Sequence, residues 1–463
     1  MSENQKNHGT GSILYLIRIV IVATFGGLLF GYDTAVVSGA IGFLQEHFEL
    51  SAAMKGWAAS CALIGCVVGV CIGGVVNDLM GRKTTLILAS IVFLISAIGS
   101  ALPQSFTEFV IYRIIGGLGV GAASVTSPMY IAEISPPRFR GRLVSLNQLA
   151  IIFGMLVVYF VNYFIAGGGD EVWNISVGWR WMFASEALPA LVLLVCLFFV
   201  PESPRWLLEK GRATEARHIF SRLGGKKHAA TEMDEIQTRN KNDETSILEL
   251  FRPGLRLALL IGVSLAVLQQ ATGINVFLYY APEIFKAVAG SDTDVALLQT
   301  IVVGAVNLIF TVVAIWLVDR VGRKPLMLVG AAGMALSLAA MGLAATFEMV
   351  GAWVMVCMLG YIACFALSVG PVTWVILSEI FPTKIRGLAM ASSGLCLWVS
   401  NFIVSQTFPM MDEHQGLVDS FNHGFPFFVY AAFCVLLLVI VAKLVPETKG
   451  KTLEAIEEYW TVK

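Results

Sequence analysis

Charge is scarce in this chain. Asp, Glu, Lys and Arg make up 14% of its 463 residues, where soluble domains carry about 25%. Neither sign dominates: the formal net charge is −1, so no global field points to nucleic acid. The six histidines (His8, His47, His218, His228, His414 and His423) all fall in predicted loops, the N-terminal tail or the central polar segment. The eight cysteines lie inside apolar runs without CxxC or zinc-ligand spacing, which reads them as small core hydrophobes. No HExxH, no P-loop ending in GK[ST], no Cys/His pair and no conspicuous carboxylate dyad occurs. These absences argue against an enzyme and imply neither cofactor nor metal.

Long polar stretches are equally scarce. Mean hydropathy is +0.77, and 57% of the residues are hydrophobic. Apolar runs of about 20 residues, the length that crosses a bilayer as a helix, recur from end to end. Twelve are read near 13–44, 56–76, 85–102, 109–131, 143–166, 181–200, 257–281, 295–318, 325–346, 351–377, 388–408 and 425–445. The one large polar interruption runs from Pro201 to about Arg256. The pattern predicts an all-α membrane protein of twelve transmembrane helices in two six-helix halves, residues 13–200 and 257–446, embedded in the lipid bilayer.

Of the 31 Lys and Arg, only Lys55, Arg180 and Lys286 fall on one side, with Arg113 inside a run. The positive-inside rule then places both termini and the central segment in the cytoplasm of a multi-pass protein of the cell (inner) membrane. Residues 1–12 and 447–463 read as cytoplasmic tails, and 201–256 as a cytoplasmic linker. The polar residues before the first run do not read as a cleavable signal peptide. Within "SPRWLLEKGRATEARHIFSRL", the apolar positions Trp206, Leu207, Leu208, Ala213, Ala216, Ile219, Phe220 and Leu223 predict short amphipathic helices.

The two halves repeat each other. "NDLMGRKT" (77–84) echoes "VDRVGRKP" (318–325), placing Asp78 and Asp319 241 residues apart. "AEISPPRFRGR" (132–142) echoes "SEIFPTKIRG" (378–387), with Glu133 and Glu379 246 apart. "PESPRWLLEKG" (201–211) echoes "PETKGKTLEAI" (446–456), with Pro201 and Pro446 245 apart. Three motifs in one order at nearly one offset mean a six-span unit used twice in the same orientation.

These motifs, together with "GYDTAVVSGA", "SPMYIAE", "QQATGINVFLYYAPEIF", "VDRVGRKPL", "GPVTWVILSEIFP" and "VPETKGKTLE", resemble the major facilitator superfamily over nearly the whole chain. Within it they resemble the sugar porter family, and most of all bacterial D-xylose/proton symporters. The resemblance implies a monosaccharide and a proton as partners, alternating access between the two halves, and no nucleic acid; a monomer is expected. A facilitator, or a symporter for another hexose, pentose or polyol, is the alternative. A sugar sensor is disfavoured, because only about 17 residues follow Pro446.

The carboxylate–guanidinium sets beside the repeated loops (Asp78 with Arg82, Glu133 with Arg140, Glu202 with Arg205, Glu379 with Arg386) read as a latch between the halves, with solvated loop charge that serves topology alone as the alternative. Asp319, Arg323 and Glu447 are further members.

Asp33 and Arg113 are the strongly ionisable residues deep in the first-half runs, and a charge at mid-bilayer costs roughly 2.5–3.5 kcal/mol. The economical arrangement pairs them. A buried carboxylate that ionises when paired and takes a proton when released is a proton carrier, and the resemblance places Asp at this position in symporters and Asn in facilitative glucose transporters. A static ion pair between two helices is the alternative reading. Glu186 is a second acidic candidate. "GLGVG" (117–121) lies in an apolar run and reads as small-residue helix packing, not as a phosphate loop.

Sugars offer hydroxyls and apolar C–H faces, so their sites use neutral polar groups and aromatic rings. "LQQATGINVFLYYAPEIF" in the seventh run supplies both, with Pro282 weakening the helix; the glutamines also suit interhelical glue. The resemblance assigns Phe30, Gln269, Gln270, Asn275, Tyr279, Gly370, Trp374, Trp398 and Asn401 to the sugar pocket, and Tyr279 and Tyr280 to an outer gate. Two departures leave the sugar open. Met155 and Leu397 stand where the family usually has Gln and Gln or Asn, and each lost hydrogen bond to a buried hydroxyl costs about 1–3 kcal/mol.

Overall fold

The structure, a computed structural model, describes residues 12–136, 139–239, 255–349, 351–381 and 385–449. Among them no strand occurs, and twelve helices are long and apolar enough to cross a membrane. In chain order these spans are Ile13–Phe48, Ala52–Met80, Arg82–Ala101, Phe106–Ile134, Arg140–Ala166, Glu171–Leu197, Leu255–Tyr279, Thr293–Val321, Arg323–Thr346, Trp353–Ile380, Arg386–Asp412 and Phe425–Lys443. Each coincides with one predicted run. The sixth begins ten residues early, at Glu171 rather than 181. Its start is fixed by a cap, the Asp170 side chain accepting from the Trp173 N–H at 2.9 Å, and its first turns are too polar for a hydropathy pattern to register.

The linker is helical as its periodicity predicts, over Pro204–Glu209 and Ala213–Arg239, the second helix being kinked at Gly225. Ser203 caps the first, accepting from the Trp206 N–H, and Pro204 occupies the first turn, where its missing N–H costs nothing. Trp206, Leu207, Ala216, Ile219, Phe220 and Leu223 are all buried. The part of the predicted linker from 240 to 254, and the tails 1–11 and 450–463, lie outside the described residues.

By contacts the chain forms two compact units that do not follow the covalent halves. One comprises Met1–Asp33, Gly65–Gly154 and Phe183–Glu244; the other comprises Thr34–Ile64, Met155–Met182 and Thr245–Lys463. The cuts fall inside the first, second, fifth and sixth spans. In the second unit the reason is visible. Tyr159 of the fifth span donates its hydroxyl to Leu278 O, Ser60 of the second bonds Gln406 of the eleventh, and Lys55 reaches Glu283 and Glu413.

The sequence repeat becomes a structural one, built once in each unit. In the first unit Arg82 gives Nε and Nη2 to Glu133 at 3.1 and 2.7 Å and Nη1 to Asn77 O at 3.1 Å. Glu133 also accepts from the Ser203 hydroxyl, while Glu202 accepts the Lys83 N–H at 3.0 Å. In the second unit Arg323 meets Glu379 at 2.9 Å and Val318 O at 3.3 Å, Thr448 donates to Glu379 at 2.5 Å, and Glu447 accepts the N–H groups of Arg323 and Lys324 at 3.2 and 3.0 Å. Gly81 and Gly322 precede these helices with φ of 93° and 107°, the left-handed region that favours glycine.

The partners differ from those that sequence proximity matched. Arg82 turns from Asp78 to Glu133, and Arg140 donates to Ala132 O. Arg205 approaches Glu232 at 3.9 Å instead of Glu202. Arg386 donates to Phe381 O, and Glu379 takes Arg323. The reason is local: a neighbour in sequence at a helix end points elsewhere, and the residue one motif away faces across. The symmetry is also incomplete, since Arg323 additionally bonds Asp319 at 3.1 Å.

Replacing Arg82 by Met leaves Glu133 nearly buried without its cation, a loss of roughly 3 kcal/mol for a buried pair broken on one side. Thermal unfolding of the purified protein should therefore show a clear drop in midpoint for Arg82→Met. Arg212→Met, which removes an exposed i,i+3 pair with Glu215, should leave the midpoint unchanged.

Candidate functional site

The first unit holds a buried charged group at mid-span. Arg113 of the fourth span gives Nη1 to Asp33 Oδ1 of the first at 2.6 Å and Nη2 to the Asp33 backbone O at 3.0 Å. Both side chains are essentially sealed, at 2% and 0% exposure. The Phe183 ring lies 5.4 Å below the guanidinium and meets Phe109 edge-on, closing its apolar side. Small residues make this approach possible. A Cβ on Gly116 would run into Ser96 Oγ and stand 3.2 Å from Asp33 Oδ1.

Glu186 completes the group. The sixth span breaks at Ser185–Glu186 between the helical pieces Trp179–Ala184 and Ala187–Leu197, and the break turns the Glu186 carboxyl, fully buried, towards Asp33. Tyr32 and Ser185 hydrogen-bond at 2.7 Å beside it. Among the described residues no donor reaches Asp33 Oδ2 or either Glu186 oxygen, and the two carboxyl groups lie beside each other. Two carboxyl groups therefore face one guanidinium in a site sealed from solvent. Phe30 lies one turn before Asp33, half-buried in the same unit.

The second unit holds the neutral polar residues. The seventh span does not run through: Gly273, at φ +93°, divides Leu255–Ala271 from Ile274–Tyr279, and Tyr280 divides the latter from Ala281–Ala289, which carries Pro282 in its first turn. Broken helix inside a membrane frees backbone carbonyls that need partners. Three tyrosine hydroxyls serve this segment: Tyr361 donates to Thr272 O and Tyr159 to Leu278 O, while Tyr280 donates across to Ser405 O on the eleventh span, each at 2.9 Å. Sequence reading missed Tyr159 and Tyr361, because only the tertiary fold shows which carbonyls a hydroxyl reaches.

The glutamines divide their roles. Gln269 gives its amide to Val369 O at 3.2 Å and Gly370 O at 2.9 Å, the end of a π-helical turn (Phe365–Val369) in the tenth span ahead of Pro371. That is interhelical glue, and it fixes Gly370. Gln270 accepts from Asn275 Nδ2 at 2.5 Å across the Gly273 break. On the eleventh span Trp398 and Asn401 are buried one turn apart. Asn401 Oδ1 accepts from Ser405 at 3.1 Å, and Ser400 ties this span to Val267 O of the seventh at 3.0 Å. Trp374 is partly exposed, whereas Tyr279, Tyr280, Met155 and Leu397 are buried.

A further cluster escaped sequence reading, which saw Lys55 only as a rare basic residue. At the end of this unit that carries the connection between the first two spans, the nearly buried Lys55 ammonium bridges Glu283 Oε2 at 3.2 Å and Glu413 Oε1 at 3.1 Å. Lys286 adds a contact to Glu283 at 3.4 Å. Burial alone would push the Glu283 carboxyl up, but Lys55 and Lys286 hold it below its ordinary value.

The Sugar (and other) transporter family model matches residues 19–460. The chain belongs to that family. It is 48% identical to the D-xylose-proton symporter of Escherichia coli (strain K12), over 96% of each chain, and 43% identical to the arabinose-proton symporter of Bacillus subtilis (strain 168), over 98% of this chain and 96% of that one. The inward open conformation of the xylose transporter XylE from E. coli superposes with a TM-score of 0.84 at 44% identity, covering 96% of this chain and 100% of that one.

Removing the bridging cation strands two carboxylates at once. Lys55→Met should cost roughly 2 kcal/mol, between the ~0–1 of exposed pairs and the ~3–5 of a buried pair broken on one side. Because the Glu283 carboxyl is held low, its contribution is present above the unfolded value near 4.3 and is lost as pH falls through the lower folded value. Unfolding midpoints scanned downward from pH 6 should accordingly fall more steeply below about pH 4 in the parent than in Glu283→Gln.

Proposed function

We propose that this protein imports a monosaccharide, D-xylose foremost, in symport with protons by alternating access. The observation that carries the reading is the sealed group of Asp33, Glu186 and Arg113. One guanidinium balances one carboxylate, so the second carboxyl needs either a proton or a cost in buried charge that the site cannot recover. Protonation of Asp33 releases Arg113 and permits the conformational change; deprotonation restores the pair. Glu186, adjacent and equally sealed, keeps the count of protons and charges coupled.

The sugar is held by Gln270, Asn275, Trp374, Trp398 and Asn401, with Gln269 and Gly370 shaping the wall and Phe30 contributing an aromatic face. Tyr279 and Tyr280, beside the breaks of the seventh span, act as the outer gate. The repeated clusters around Arg82 and Arg323 rigidify the loop ends that part and rejoin as the latch. Both termini lie in the cytoplasm, following the positive-inside asymmetry, and the protein works as a monomer. Its relatives carry names as D-xylose-proton and arabinose-proton symporters, which supports a pentose.

A pentose other than D-xylose is the second reading, favoured by Met155 and Leu397. Both are buried and apolar where the resemblance expects hydrogen-bonding side chains, and each missing bond weakens binding by about 1–3 kcal/mol.

The deciding experiment is D-xylose uptake into proteoliposomes with and without an inward proton gradient. Gradient-driven accumulation is expected for the parent and only equilibration for Asp33→Asn. Equilibration that ignores the gradient in both proteins would overturn the coupling. Competition by L-arabinose at concentrations where D-xylose competes poorly would select the second reading.

A further inference from the structure

The first unit carries a cleft of about 310 Å³ whose lining shares no residue with either set above. Its walls are the start of the first span (Tyr15, Arg18), the segment just beyond the end of the sixth (Phe198, Phe199) and Arg222 of the linker helix. Arg18 and Arg222 both line it, and among the described residues no carboxylate does. Neither Arg18 nor Arg222 forms an ion pair with any described residue. The cleft is nevertheless well organised: Arg222 stacks on the Tyr15 ring with its guanidinium carbon 3.9 Å from the centroid, and its backbone O accepts the Ser12 N–H at 2.9 Å.

Position narrows the ligand. Arg18 stands five residues into the first span, which starts at Ile13, and Phe198 follows directly on the end of the sixth at Leu197. Two spans ending at the same cleft place it at headgroup depth. Around the two cations the surface is apolar and open, with Ile13, Leu14, Ile17 and Phe198 exposed and Phe199 at 84% exposure. A free phosphate would satisfy the guanidinium groups and leave this rim unused. A phosphodiester carrying acyl chains uses both, and basic pockets between spans at the membrane face bind anionic headgroups on this principle.

We propose that this cleft binds one anionic phospholipid, its phosphate between Arg18 and Arg222 and its acyl chains along Ile13, Ile17 and Phe199. Because Arg222 belongs to the linker helix and Arg18 to the span that carries Asp33, an occupied cleft ties the linker to the first span.

The test is native mass spectrometry of the full-length protein titrated with dioleoylphosphatidylglycerol and, separately, dioleoylphosphatidylcholine. The parent should retain phosphatidylglycerol in preference to phosphatidylcholine. Arg18→Gln/Arg222→Gln should weaken the former roughly thirtyfold, given about 1 kcal/mol for each of the two basic residues near an anionic lipid surface. Arg217→Gln/Lys226→Gln, which removes two exposed cations of the same helix outside the cleft, should bind as the parent does. Arg18→Lys/Arg222→Lys should recover most of the binding, which guards against a folding defect in the glutamine variant. Equal phosphatidylglycerol retention in all four proteins would overturn the proposal. So would displacement of the lipid by millimolar glycerol phosphate, since that would make the cleft a site for the headgroup ion alone.

Discussion

Inside a bilayer a backbone carbonyl or N–H without a partner costs several kcal/mol, because no water is there to replace it. Several of the polar clusters in this fold sit at interruptions of regular helix, and each interruption depends on how that cost is met. The seventh span breaks at Gly273 and again at Tyr280, and hydroxyls of Tyr159 and Tyr361 take up the carbonyls nearby. The tenth span widens into a π-turn, and Gln269 crosses from the seventh to serve it. The sixth breaks at Ser185–Glu186, where Tyr32 bonds Ser185. Each break exposes polar chemistry at mid-span; in the seventh and tenth spans side chains from other helices take up the carbonyls, while at the sixth the Tyr32 hydroxyl meets that of Ser185.

Charge obeys the same economy. The buried cation Arg113 finds Asp33, and Lys55 finds Glu283 and Glu413. The two groups differ in surplus. Lys55 faces two carboxylates at a partly open end, with Lys286 nearby, so the count is balanced by solvent and a second ammonium. Arg113 faces Asp33 and Glu186 with solvent shut out. The sealed group has no solvent to absorb its second acid, and this imbalance is what the proposed symport rests on.

The architecture was legible in the sequence because a bilayer allows so few solutions: twelve apolar runs gave twelve spans. Asp33 and Arg113 were legible for the same reason, since two lone charges in hydrocarbon have little choice of partner. The loop ion pairs were legible as a set but not in their pairing. Glu133 and Arg140 are close in sequence, yet Glu133 is satisfied by Arg82 from another helix end. The Lys55 bridge and the tyrosine hydroxyls had no sequence signal, because their partners lie more than 85 residues away. Gln269 was visible as polar, but only the fold shows its amide committed to backbone.

The capping glutamates carry a consequence for how the chain is made. The first turn of the third span is closed by Glu202, 119 residues downstream of Lys83, and the ninth by Glu447, 123 residues downstream of Lys324. A ribosome delivers residues in order, so the third helix emerges with its end uncapped and stays so until the sixth has been synthesised. Each six-helix half is thus completed by the segment that leaves it, and the second waits until the residues beyond the twelfth span have been translated. A chain cut short before Glu447 would hold every span from seven to twelve and still lack the group that finishes the ninth.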